Sequence, residues 1–151
     1  VASAVPARMI AHPISIARYR NAIELATTSA GWGQSLPAGE GLGLAVHRSF
    51  LSYVAAVARV KVEANGRVTV PRIDLVIDAG FVAHPERVRA QMEGAAIMAM
   101  SNTLYGEITF QQGRTVQSNF TDYRVTRIAE APREIVVQVV PSTAPSVKTT
   151  E

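Results

Sequence analysis

The sequence predicts an α+β fold in which two main helices pack on mainly antiparallel strands. Two observations carry that expectation. Stretches of helical period run from Ser15 to Ala30 and from Pro85 to Thr103, and β-rich runs are joined by Asn65-Gly66, the strongest short hairpin signal available. At 151 residues, 48% of them hydrophobic and 18% charged, the chain reads as one globular unit over 1–151 with a core of its own.

Residues 1–14 are small and apolar, with Pro6 and Pro13, and read as an arm. Ile16, Tyr19, Ala22, Ile23, Ala26 and Ser29/Ala30 then recur at helical spacing, and Gly31 and Gly33 end that helix. Trp32 is expected to fold back on it as a hydrophobic plug, with stacking on a ligand as the other reading. Residues 41–50 mix glycines with strand formers, as in a strand along which a backbone or ligand passes closely. From Ser52 the residues alternate, with Val54, Ala56, Ala58, Val60 and Val62 on the expected apolar face. The run from Arg67 to Asp78 returns from the hairpin, and Pro71 places it at an edge or at a bulge.

That strand delivers Asp78-Ala79-Gly80 to the start of the second helix, where Pro85 and Glu86 suit the first turn. Val88, Met92, Ala95, Ala96, Ala99 and Thr103 form its expected apolar face, with Gln91, Gly94 and Met98 as a neighbouring strip. Gly94-Ala95-Ala96 carries almost no side chain, so a backbone or a flat ligand can come close beside the Gln91 amide. A second hairpin follows around Gln111-Gln112-Gly113, then a polar loop at 121–124 and a final strand from Ile135 to Val140. The tail over 141–151 reads as mobile.

The residues narrow the chemistry. There is no cysteine, and His12, His47 and His84 are scattered, so no protein-built metal centre and no catalytic residue is assigned. No apolar run reaches transmembrane length. The net charge of +3 is spread along the chain without a basic block, which speaks against nucleic acid. Asp78 reads as a turn carboxylate near Gly80 or as a general base. Glu93 pairs with Arg89 or serves a site. Gln91 holds a polar heterocycle or is a buried amide satisfied by backbone.

Four runs in order, Gly41 to Ala55, Asp78 to Gly94, Leu104 to Phe110 and Gln117 to Tyr123, resemble the molybdopterin-binding large subunit of the xanthine dehydrogenase and aldehyde oxidase family. The likeness spans roughly Arg18 to Ser142 and is similar above all to the branch of isoquinoline 1-oxidoreductase β subunits and membrane-associated aldehyde dehydrogenases. It implies a segment of the molybdopterin-binding domain, in an enzyme that oxidises aldehydes or N-heterocycles with oxygen from water. Molybdopterin is the implied cofactor, its cytosine dinucleotide form included. The implied partners are the remainder of the large subunit, a small [2Fe-2S] subunit and a cytochrome c subunit, in a periplasmic or inner-membrane-associated setting. Gln91, Glu93 and Gly94 match the family's Gln-x-Glu-Gly motif and inherit the cofactor contact.

The resemblance also has departures. His84-Pro85 stands where the family has Asn-Pro, Ala95 where it has a second glycine, and Ala99 near a further glycine. The catalytic glutamate of a Gly-Glu-Pro segment has no match after Ser142, so the chain alone is expected to be inactive and reads as a fragment or processed piece. A non-catalytic structural or interaction domain derived from the family is the alternative.

Overall fold

The computed structural model of the protein describes residues 13–144. The arm at 1–12 and the tail at 145–151 lie outside the described residues. Helix α1 (Ile16–Ala30) precedes three strands, β1 (Glu40–Ser49), β2 (Ser52–Val62) and β3 (Val68–Asp78). Helix α2 (Pro85–Leu104), a small hairpin of β4 (Phe110–Gln111) and β5 (Arg114–Thr115), a 3-10 turn at Ile128–Glu130 and β6 (Glu134–Val139) complete it. The main sheet has the order β1-β2-β3-β6; its pairs are antiparallel except β3 with β6, which run parallel.

Local signals set the element ends. The Ser15 hydroxyl accepts the Arg18 N–H at the start of α1, and Gly31 closes it at φ 68°, a left-handed conformation that costs glycine little. Trp32 contributes its N–H to the Thr27 carbonyl, but its side chain is 47% exposed and does not form the expected plug. Gly66 takes φ 82° in the β2–β3 turn, where Glu63 N–H meets the Arg67 carbonyl at 2.9 Å. Pro71 resolves to a bulge: β3 is a central strand, and the register slips between Arg59 and Lys61 opposite it.

Both faces of the sheet are covered. On one, Ala22 and Ala26 of α1 meet Ala55, Val57 and Val76; on the other, Ala96 and Met100 of α2 meet Ile73, Leu75 and Val137. This reverses the expected polarity of β2. Tyr53, Ala55 and Val57 are fully buried under α1, whereas Val54, Ala56, Ala58 and Val60 are only half-buried. Alanines on both sides let a helix approach each face, so alternation in β2 does not separate inside from outside.

Helix α1 is fastened at both ends. Asp74 and Asp78 lie on the same face of β3, roughly 13 Å apart at strand rise, and Arg18 and Ser29 lie roughly 16 Å apart along α1. Arg18 makes a two-pronged pair with Asp78, Nε to Oδ2 at 2.7 Å and Nη2 to Oδ1 at 2.6 Å, and Ser29 donates to Asp74 at 2.6 Å. The guanidinium of Arg18 also stacks 4.5 Å from the centre of the Tyr53 ring, while Tyr19 meets that ring edge-on. Arg72 grips Asp74 with two further hydrogen bonds and reaches Glu134 on β6 at 2.7 Å.

Candidate functional site

The turn from β3 into α2 is built on Asp78. Its carboxylate accepts the Gly80 N–H at 3.1 Å as well as the Arg18 fork, which is the turn-carboxylate reading. Hydrogen bonds from Arg18 outweigh the opposing effect of burial and hold its pKa below the usual carboxylate range. With its side chain 4% exposed and its lone pairs occupied, Asp78 has the surroundings of a structural anion. A cleft of about 520 Å³ opens beyond it, at the C-terminal ends of the parallel strands β3 and β6 and the start of α2, lined by Gly80, Phe81, Pro85, Val139 and Ser142 among others. Crevices in this position are where α/β sheets gather ligands.

Pro85 opens α2, and His84 before it makes no side-chain cap bond. Glu86 pairs with Arg89 at 3.4 Å, and Arg89 also donates to the Val137 carbonyl of β6. Arg89 therefore pins the helix to the sheet and does not pair with Glu93 as expected; an exposed first-turn carboxylate one residue nearer takes that place. At the other end, Ser101 accepts the Thr126 N–H at 3.0 Å and donates to Ile97.

These contacts fix the rotation of α2. Ala96, Met100, Met92 and Leu104 turn to the sheet. Ala95, Ala99 and Thr103, expected on the apolar face, are exposed, because the packed stripe is centred further round the helix. The outward face carries Gln91, Gly94, Ala95, Met98 and Asn102, each exposed and spaced at three- and four-residue steps. An atom added at the Cβ position of Gly94 meets nothing within 4 Å.

The structure brings Gln91 and Gly94 together and sets Glu93 apart from them. Residues two apart on a helix point to different sides, so Glu93 is exposed on another flank, without a hydrogen bond or ion pair among the described residues. Gln91 is exposed and is not a buried amide satisfied by backbone. Gly41, Gly43, His47 and Ser49 lie on the exposed edge strand β1, where Gly41 and Gly43 face open space among the described residues. Among the described residues no group of three His, Asp or Glu is placed to hold a metal ion.

A pterin-like group would meet a suitable surface here. The Gln91 amide offers a donor and an acceptor in solvent and Gly94 presents bare backbone to a flat ring, while the methyls of Ala95 and Ala99 stand where the resemblance has glycine and narrow that approach. The interactions that sequence reasoning missed are the Arg18–Asp78 and Arg89–Val137 contacts that orient the turn and the helix. Each joins residues far apart in sequence, and no local pattern announces them.

The α+β unit packs one side of a long helix on its sheet and leaves the other, with the Gln91 amide, the Gly94 backbone and the Met98 side chain, open. Residues 6–132 match the family model of the molybdopterin cofactor-binding domain, and the chain belongs to that family. It is 35% identical over 118 residues to the membrane-bound aldehyde dehydrogenase [pyrroloquinoline-quinone] of Gluconacetobacter polyoxogenes, covering 74% of this chain and 15% of that protein. Against isoquinoline 1-oxidoreductase subunit beta of Brevundimonas diminuta the identity is 34% over 96 residues, covering 63% of this chain and 12% of the relative. The crystal structure of quinoline 2-oxidoreductase from Pseudomonas putida 86 shares the fold at a TM-score of 0.57 and 22% identity, covering 62% of this chain and 12% of that one. The chain thus spans a small part of the length of the relatives it matches.

Proposed function

We propose that this chain supplies one wall of the cofactor site in a molybdenum hydroxylase large subunit that oxidises aldehydes or N-heterocycles. The observation that carries the reading is the outward face of α2 within a molybdopterin cofactor-binding domain, with the Gln91 amide and the bare Gly94 backbone side by side. Gln91 hydrogen-bonds the pterin, Gly94 lets the ring system approach the helix, and Glu93 acts only as a neighbour on the adjoining flank. Arg89 and Asp78 position the helix and its entry turn. When bound, the molybdenum cofactor, in its cytosine dinucleotide form, supplies hydroxylation with oxygen from water. The rest of the large subunit provides the other walls and the catalytic glutamate, and a [2Fe-2S] subunit and a cytochrome c subunit carry electrons away.

The test is metal analysis and cofactor extraction on the assembly that contains this chain. Molybdenum together with an oxidised-pterin fluorescence signal is expected. An assembly holding neither, or holding the pyrroloquinoline quinone that one relative's name carries, refutes the reading. Gln91→Ala is expected to weaken cofactor retention about threefold to tenfold, the worth of one hydrogen bond; unchanged retention removes the role given to Gln91.

A further inference from the structure

We propose that the cleft beneath the β2–β3 hairpin binds a small carboxylate carried on an apolar body. The cleft encloses about 460 Å³, within the range of small-molecule sites. Its floor is apolar, formed by Val70, Pro71, Met100 and Leu104, with the Tyr105 ring on one side. Its rim carries Lys61, Arg67 and Arg133. None of these three cations has an ion-pair partner among the described residues.

The carboxylates nearby are mostly committed elsewhere. Glu40 faces Arg59 at 3.5 Å, and Glu130 accepts the Tyr105 hydroxyl at 2.9 Å and the Arg127 N–H at 3.0 Å as well as the Arg124 guanidinium. Glu40, Glu63 and Glu130 all line the cleft beside Lys61, Arg67 and Arg133; with Arg59 and Arg124 counted as the partners of Glu40 and Glu130, five cations meet three carboxylates and the excess is two positive charges. The C-terminal end of α2 also lies against the cleft and contributes the equivalent of about half a negative charge, which the two excess cations outweigh. Glu63 disfavours a second carboxylate, and the apolar floor gives a bare inorganic anion nothing to bury. Two guanidinium forks suit a planar carboxylate better than a point charge does.

The rim is held by its backbone. Arg133 donates its N–H to the Pro71 carbonyl at 3.1 Å, and Arg67 donates its own to the Asn65 side chain at 2.9 Å. The site lies at the far end of α2 from Gln91, roughly 20 Å along the helix, so it stands independently of the cofactor reading.

The experiment is a titration of the chain with benzoate followed by two-dimensional NMR of the backbone amides. Saturable shifts confined to the hairpin, the end of α2 and residues 129–133 are expected. Benzylamine, with the same ring and the opposite charge, and inorganic phosphate, with charge and no ring, should each bind at least tenfold more weakly. Arg67→Gln combined with Arg133→Gln should weaken benzoate at least tenfold. Both side chains are exposed, and Arg67→Gln alone, at the hairpin, serves if the pair perturbs folding. No saturable shift, equal binding of benzylamine or phosphate, or unchanged benzoate affinity in the folded variant overturns the proposal.

Discussion

Replacing Asp78 by Asn tests whether one ion pair sets the geometry between α1 and the start of α2. The carboxylate receives the Arg18 Nε and Nη2 groups at 2.7 and 2.6 Å and the Gly80 N–H at 3.1 Å. Asn keeps the shape but turns one acceptor into a donor, leaving an N–H group opposed to another and a cation without its counter-charge. Removing one partner of a fully buried pair costs about 3–5 kcal/mol. The Arg18 side chain is 20% exposed, so water recovers part of that, and about 3 kcal/mol is expected. For a chain of this size that lowers the melting temperature by about 10 °C. Urea unfolding followed by circular dichroism gives the free energy, and a double-mutant cycle with Arg18→Met should show a coupling above about 1.5 kcal/mol. A loss under about 0.5 kcal/mol for Asp78→Asn, or strictly additive variants, would refute the reasoning.

The remaining expectations concern pH, the helix face and a strained turn. Asp78 has a lowered folded-state pKa; so has Asp74, where burial is overcome by hydrogen bonds from Arg72 and Ser29. Their stabilisation is therefore complete above the ordinary carboxylate value near 3.8 and is lost as pH falls below it through the folded values, which urea midpoints between pH 6 and about pH 2 will record. Gly94→Ala should stabilise the isolated chain by about 0.5–1 kcal/mol, since the added methyl meets open space in a helix interior, while reducing cofactor retention in the assembly. Phe50, at φ 52° and 80% exposed in the two-residue β1–β2 turn, occupies a conformation that suits Asn, so Phe50→Asn should raise stability by about 0.5–1 kcal/mol in the same urea assay.

The legible parts of the fold were those written in local chemistry. Ser15 and Gly31 bracket α1 because a cap hydroxyl and a left-handed glycine act within one turn, and Asn65-Gly66 marks its hairpin for the same reason. The buried face of β2 and the rotation of α2 are not legible from local pattern, because alanines line several sides of each element. A methyl can face core or solvent at little cost, so such stretches are phased by long-range anchors such as Arg89 on Val137. Gln91 and Gly94 stand out only through a motif; their shared exposure follows from that phasing, and their contact with a cofactor is the proposal made above. Glu93 came with the same motif, yet helical geometry turns it away.

The parallel pairing of β3 with β6 has a consequence for how the chain is made. Arg72 opposes Glu134 across the whole of α2 and the 105–133 excursion, so β3 gains its second neighbour only after that intervening stretch has been laid down. Until then a strand carrying Ile73, Leu75 and Ile77 presents an open row of amides and carbonyls beside apolar side chains, a template for pairing with other chains. A product interrupted before residue 134 should therefore aggregate where the longer one does not, and β6 serves as the cover that ends this exposure during synthesis.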